Sequence, residues 1–201
     1  MPPAPLVERF DVRCGRNDTR MLALEDMCSV LDLPNSAKYD STMERVVRAV
    51  RPLSTAPEED VLNILRRAVF AWLIADGDMH LKNLALLKIA EPGGEAFRLV
   101  RMAPLYDAVS TRIFPGLKHD RMALKLNGKD DRLSAKDFRA FARTARLKAA
   151  DADAVIENTL REVRQAGDRI SLPARADYGP NGKEMTEQML EIIRSRVTSF
   201  G

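Results

Sequence analysis

The stretch Asp76-Gly77-Asp78-Met79-His80-Leu81-Lys82-Asn83 places a carboxylate and an amide five residues apart, directly after a segment that reads as a helix. In that upstream segment Val61, Leu65, Ala68, Val69, Trp72 and Leu73 recur at helical spacing, which predicts one buried face. Thr55 is placed to cap the helix, Pro57 suits its first turn, and Glu58, Glu59 and Asp60 put negative charge at its positive end. Gly77 is expected to take the left-handed conformation that stops a helix. Asp78 would then leave a buried helix through a tight turn, which fixes its direction.

Downstream, Leu84 to Ile89 is an apolar run of strand length, Pro92-Gly93-Gly94 supplies a turn, and Ala96 to Val100 returns as a second strand. The segment Met102-Ala103-Pro104-Leu105-Tyr106-Asp107 follows. If the strands pair as a hairpin, Asn83 and Asp107 meet at its mouth although they are far apart in sequence. Two oxygen ligands there, beside a free carboxylate at Asp78, suit a magnesium ion and a nucleotide's phosphates. Phosphoryl transfer asks the protein mainly for positioning and charge neutralisation, and protein kinases use such an Asp-x-x-x-x-Asn loop: the aspartate takes the attacking hydroxyl's proton, and the asparagine holds metal. Each residue also has an ordinary structural use. Asp78 can end a helix, Asn83 can close a turn, and Asp107 can cap a following helix. His80 can face a ligand or be a hydrogen-bonded loop histidine.

Taken in order, the motifs resemble the C-terminal part of the HipA family of bacterial serine/threonine kinases, the toxin halves of toxin–antitoxin pairs. Leu6-Val7-Glu8-Arg9-Phe10-Asp11 resembles the family's nucleotide hinge strand, and Glu25-Asp26-Met27-Cys28 with Lys38-Tyr39 resembles the segment after it. Asp78 to Asn83 resembles the catalytic loop, Pro104 to Asp107 the metal-binding segment, and Ala123 to Lys129 a later strand and turn. The resemblance implies a mainly α fold with small β elements: a protein-kinase-like C-terminal lobe spanning residues 1–201, beginning at the hinge strand, with the N-terminal lobe absent. It implies ATP and Mg2+ as cofactors. Asp78 would be the catalytic base and Asn83 and Asp107 the metal ligands. His80 and Tyr106 would line the nucleotide site, Glu8, Arg9 and Phe10 would meet the adenine through backbone groups, and Asp11 would lie near the ribose.

By the same resemblance the partners are a HipB-like DNA-binding antitoxin and a protein substrate, aminoacyl-tRNA synthetases being the substrate class of the family's best-known toxins. Contact with DNA would be indirect or weak. One departure is Leu24, where the family often has a polar residue. A larger one is that only Met1 to Pro5 precedes the hinge-like strand, so no glycine-rich loop or phosphate lysine fits there. That suggests a fragment, a split kinase completed by another chain, or a degenerate one; the isolated chain is expected to bind ATP weakly and to have little activity. Two other readings stay open. Gly77-Asp78-Met79-His80-Leu81-Lys82-Asn83 also satisfies the loop pattern of aminoglycoside- and choline-type kinases, although those usually carry histidine where Asp76 stands. A non-catalytic, partner-binding remnant is the third.

Composition agrees with an intracellular globular domain: 201 residues, 45% hydrophobic and 30% charged, enough to bury one sizeable core. Cys14 and Cys28 lack metal-site spacing and read as reduced thiols. Neither a membrane-length apolar run nor signal-peptide regions are present, which points to the cytoplasm. The net charge of +3 is mild. Arg139, Arg143, Arg146 and Lys148 fall near one helical face, which reads as a solvated surface or a phosphate contact. Ser134 is expected to cap a helix with Asp137 in its first turn, a second helix ends near Gly167, and a terminal helix follows a polar loop over Pro173 to Gly182. Arg112 to His119 lies where kinases place an acceptor loop; Phe114, Pro115 and Gly116 suggest a mobile, partly apolar connection.

Overall fold

A computed structural model of the chain describes residues 9–14, 19–91, 93–94, 96–170 and 181–200. Its centre is the helix predicted ahead of the loop. We label the strands β1 (Val12–Cys14), β2 (Thr19–Met21), β3 (Ala23–Asp26), β4 (Ala85–Ala90) and β5 (Phe97–Met102). The helices are α1 (Met27–Val30), α2 (Met43–Leu53), α3 (Pro57–Ile74), α4 (Ala135–Thr144), α5 (Ala149–Gly167) and α6 (Gly182–Ser199). Helix α3 buries Val61, Ile64, Leu65, Ala68, Val69, Trp72 and Leu73, and packs against α2, α5 and α6. An 18-residue helix buried around most of its circumference supplies a rigid rod from which the following turn departs. No helix among the described residues is long and apolar enough to cross a membrane.

Both ends of α3 differ from the sequence expectation. Pro57 does open the helix, but Ala56 is the cap residue and Thr55 does not cap. The Thr55 hydroxyl instead donates to the Val100 carbonyl at 3.0 Å, because its neighbour Ser54 already accepts the Ala56 N–H at 3.0 Å. Asp60, expected to serve the helix dipole, is a buried junction. It accepts from Ser54 Oγ at 2.5 Å, from Met102 N–H at 3.1 Å and from Arg101 Nε at 3.2 Å, fastening α3 to β5. At the other end Ala75, not Gly77, takes the left-handed conformation (φ 59°, ψ 44°). The Ala75 and Asp76 N–H groups then return to the Trp72 and Ala71 carbonyls, at 3.2 and 2.8 Å. Gly77 is needed for space: a Cβ there would lie 2.0 Å from Asp120 Oδ2 and 2.7 Å from Thr111 Oγ1.

The hairpin forms as expected, with Leu86 opposite Met102, and the Ala103 N–H donates to the Ala85 carbonyl at 2.8 Å, closing its mouth. β3 adds an antiparallel third strand to it, pairing Asp26 with Ala85, a role the Glu25-Asp26 motif did not announce. Asp26 caps α1 through the Ser29 N–H at 3.0 Å. Residues 123–129 hold only isolated bridges, Thr42 to Lys125 and Leu126 to Lys129, around a turn whose Asn127 and Gly128 have φ 50° and 77°. Ser134 caps α4 with Asp137 as expected, and α5 ends at Gly167. Helix α4 stops at Thr144 and Arg146 turns left-handed (φ 57°), so Arg146 and Lys148 do not continue the basic face of Arg139 and Arg143. Arg139 is paired with Asp153 at 2.7 Å. Cys28 is a buried free thiol, and the Cys14 side chain and residues 173–180 lie outside the described residues.

Asp60 is 1% exposed, and its loss would leave Arg101, Ser54 and the Met102 N–H without their acceptor. Asp60→Ala is expected to lower the unfolding free energy by about 3 kcal/mol in urea titration. A loss under about 1 kcal/mol would mean that the junction contributes no more than a surface pair.

Candidate functional site

The loop after α3 is held by a carboxylate that is itself buried. Asp76, 3% exposed, accepts the Asp78 N–H at 2.9 Å. Thr111 adds a second brace: its N–H and hydroxyl both donate to the Ala75 carbonyl, at 3.0 and 3.1 Å, while its Oγ1 accepts the Gly77 N–H at 3.0 Å. The Thr111 bonds pin residues 75–77 to residue 111, and Asp76 holds Asp78 to the same turn. Burial pushes the Asp76 carboxyl up to about 6, against the pull of the neighbouring Asp78 and Val109 backbone; the nearby charges of Asp78 and Asp107 raise it further.

Asp78 projects from this braced turn with its side chain 40% exposed. Five residues on, Asn83 is 6% exposed, and its Nδ2 donates to the Asp78 carbonyl at 2.8 Å, closing the loop on itself. That bond fixes the amide. Among the described residues no donor engages Asn83 Oδ1 or the exposed Asp107 carboxylate. Asp107 is carried toward the loop by three links around it: the hairpin mouth, a hydrogen bond from the Tyr106 hydroxyl to the Lys82 carbonyl, and the Thr111 bonds to Ala75 and Gly77. Its charge reaches Asp76, His80 and Tyr106. An amide oxygen fixed by its own Nδ2 bond and an exposed carboxylate are donors of the kind a hard cation such as Mg2+ takes. Among the described residues no three His, Cys, Asp or Glu side chains cluster to cage a metal.

His80 is a buried loop residue, 6% exposed, with Nε2 3.8 Å from Asp78 Oδ1 and Nδ1 unpartnered among the described residues. Burial holds it below the ordinary histidine value. Tyr106 is pushed up to about 12, chiefly by burial. Phe10 stacks on it with centroids 5.7 Å apart, so the N-terminal segment does reach the segment that follows the hairpin. Of the expected hinge strand, Leu6 and Val7 lie outside the described residues; among the described ones Arg9 has no regular structure, Phe10 and Asp11 sit in a turn, and strand pairing begins at Val12. Arg9 grips Asp11 with two hydrogen bonds of 2.6 Å, which hold the Asp11 carboxyl below its usual value. Glu8 lies outside the described residues.

Sequence reasoning gave Tyr39 no role, yet its hydroxyl donates to Asp78 Oδ1 at 2.5 Å and is thereby pushed up to about 12. The Leu81 N–H donates to the Lys38 carbonyl at 3.1 Å, and the Tyr39 ring meets His80 edge-on at 5.1 Å, so this residue is fastened to the loop. Lys82 points away from the loop's carboxylates and joins Asp26 at 2.7 Å. Asp76 had a readable signal, a second aspartate two residues before Asp78; Thr111 had none.

A mostly helical body with a small antiparallel sheet, holding a loop carboxylate beside a hairpin mouth, defines a protein-kinase-like C-terminal lobe. The chain belongs to the HipA-like C-terminal domain family, whose model matches residues 2–167. Two proteins of Sinorhizobium fredii that carry the word kinase in their names are similar to it. Y4mE is 32% identical over 71% of this chain and 34% of its own length; Y4dM is 33% identical over 52% of this chain and 23% of its own. The chain thus spans about a third or less of these relatives. A chain of the Shewanella oneidensis MR-1 toxin–antitoxin complex of HipA, HipB and operator DNA shares the fold. It matches with a TM-score of 0.78 at 18% identity, over 96% of this chain and 47% of that one.

The raised Asp76 value sets a pH dependence. Native Asp76 holds its proton to about pH 6 and the unfolded group releases it near 3.8, so its contribution is favourable below that window and is lost as pH rises through it. Asp76→Asn, which cannot ionise, should therefore gain stability relative to the parent chain between pH 4 and 7, by about 2 kcal/mol. Chemical denaturation at both pH values measures the difference; a constant offset would contradict an Asp76 whose ionisation is opposed by burial.

Proposed function

We propose that the chain is the metal- and nucleotide-binding lobe of a HipA-like, ATP-dependent serine/threonine kinase. The observation that supports this reading is the Thr111 brace, which bonds the turn before Asp78 to the segment that follows Asp107, with Asp76 orienting Asp78. Asp78 acts as the base: one oxygen is held by Tyr39, and the other is left to accept the proton of an attacking serine or threonine hydroxyl. Asn83 Oδ1 and the Asp107 carboxylate would hold Mg2+, which would supply positive charge against the negative charge of the nucleotide's phosphates. Phe10 and Tyr106 offer a stacked aromatic edge on which the nucleotide's base side is built, with Glu8 and Arg9 contributing backbone groups and Asp11 lying toward the ribose. His80 stays neutral near pH 7 and packs the loop from behind.

The 201 residues contain no glycine-rich phosphate loop of their own, so ATP held by this chain alone is held weakly and turned over slowly. A HipB-like antitoxin is the partner this reading implies, and the basic side chains of α4 touch DNA at most indirectly. The family match favours this reading over a small-molecule kinase.

Binding of Mn2+–ATP to the purified chain, followed by electron paramagnetic resonance, tests it. Asn83→Ala and Asp107→Ala should each weaken binding about tenfold or more, which is about 1.4 kcal/mol. Asp78→Asn should bind about as well as the parent and transfer no phosphate. Undiminished binding in both ligand variants would contradict the assignment.

A further inference from the structure

Helix α3 carries a second stripe beside the face that fills the core. Asn63, Arg67, Phe70 and Ile74 follow one another at spacings of four, three and four, so they share one side of the helix. Part of that side is the floor of a cleft of about 640 Å3 between α3, α5, α6 and the segment after β5. Phe70, Val163, Met189 and Ile193 make its walls apolar. Leu105 and Ile170, each 40% exposed, extend the apolar surface to its mouth. The segment after β5 is shared between two sites: Leu105 and Ser110 line this cleft, whereas the Tyr106 hydroxyl turns to Lys82. A concave apolar site of this volume with few polar groups has the character of a small-molecule site.

The polar groups narrow the ligand. Arg67 is 4% exposed, and an arginine so deep is ordinarily paired with a carboxylate. This one has neutral partners. Its Nε donates to Asn63 Oδ1 at 3.3 Å, and one terminal nitrogen donates to the Ala103 carbonyl. The other terminal nitrogen, Nη1, and the hydroxyl of Ser110, itself 6% exposed, are closed to water and have no partner among the described residues. Burial pulls the Arg67 pKa below the ordinary guanidinium value, and the charges of Tyr106 and Asp60 oppose this only in part. Asp60 is already engaged by Arg101 and Ser54. At the exposed rim Arg66 and Glu162 balance each other. The floor therefore combines a buried positive charge with two idle donors beneath apolar walls. A singly charged group with two oxygens matches it; the further charge and oxygen of a phosphate would be left among apolar side chains.

We infer that this cleft binds an amphipathic monocarboxylate of the fatty-acid type. The chain lies along Phe70, Val163 and Ile193. The carboxylate rests on the floor, where Arg67 Nη1 and the Ser110 hydroxyl rotate to donate to it. No bond is made or broken. The site is separate from the Asp78 loop and stands independently of the kinase reading.

Isothermal titration of the full chain with decanoate, kept below its micellar concentration, tests this. Butyrate, which lacks the long chain, and decanol, which lacks the charge, are the comparison probes. Decanoate should saturate one site and bind about tenfold or more tighter than either. Arg67→Met keeps an unbranched side chain and removes the charge, and should bind decanoate no better than decanol. Ala166→Phe narrows the cleft from its exposed rim. It should lower decanoate affinity about tenfold or more with an unchanged melting curve, a result that does not depend on the Arg67 variant folding. Equal affinity for decanoate and decanol, no saturable decanoate binding, a folded Arg67→Met that keeps the preference, or full affinity in Ala166→Phe would each overturn the proposal. So would a concentration-dependent dimer in sedimentation that excludes decanoate, because a second copy of the chain would then be the occupant.

Discussion

Thr111 joins two separated stretches: its N–H and hydroxyl donate to the Ala75 carbonyl, and its Oγ1 accepts the Gly77 N–H. Asp76, almost closed to water, accepts the Asp78 N–H beside this junction. A buried carboxyl is costly unless its oxygens are occupied, so that bond holds the loop to one direction as it leaves α3. The Thr111 bonds keep the segment after β5 against the same turn. Every functional statement about Asp78, Asn83 and Asp107 assumes that these two braces hold.

The rest of the architecture serves this junction. Helix α3 is rigid because it is packed by α2, α5 and α6 and because Asp60 fastens its first turn to β5. The hairpin carries Asn83 into the site from one end and Asp107 from the other, and β3 stiffens it from the outer side. The left-handed turn sits at Ala75, two residues earlier than a glycine-based reading implies. Gly77 is retained for a different reason, the close approach of Asp120 and Thr111.

Much of this was legible in the chain. The apolar spacing of Val61 to Leu73 gave the central helix, the paired apolar runs around Gly93 gave the hairpin, and Asp137 after Ser134 gave the α4 cap. Those signals are local, set by periods of three to four or of two residues. What escaped reading was non-local. Whether Thr55 caps α3 or bonds Val100 depends on a strand 45 residues away. Tyr39 meets Asp78 across 39 residues of intervening chain, and Thr111 meets Ala75 across 36. Position-by-position resemblance marked Tyr39 as part of a motif without saying what its hydroxyl touches.

The account stands or falls on where a divalent ion sits. Crystals of the chain grown with Mn2+ and a non-hydrolysable ATP analogue, measured at the manganese absorption edge, would locate it by anomalous scattering. The expected peak lies about 2.0–2.4 Å from both Asn83 Oδ1 and an Asp107 oxygen. A peak at any other residues, with those two side chains diverging, would contradict the account.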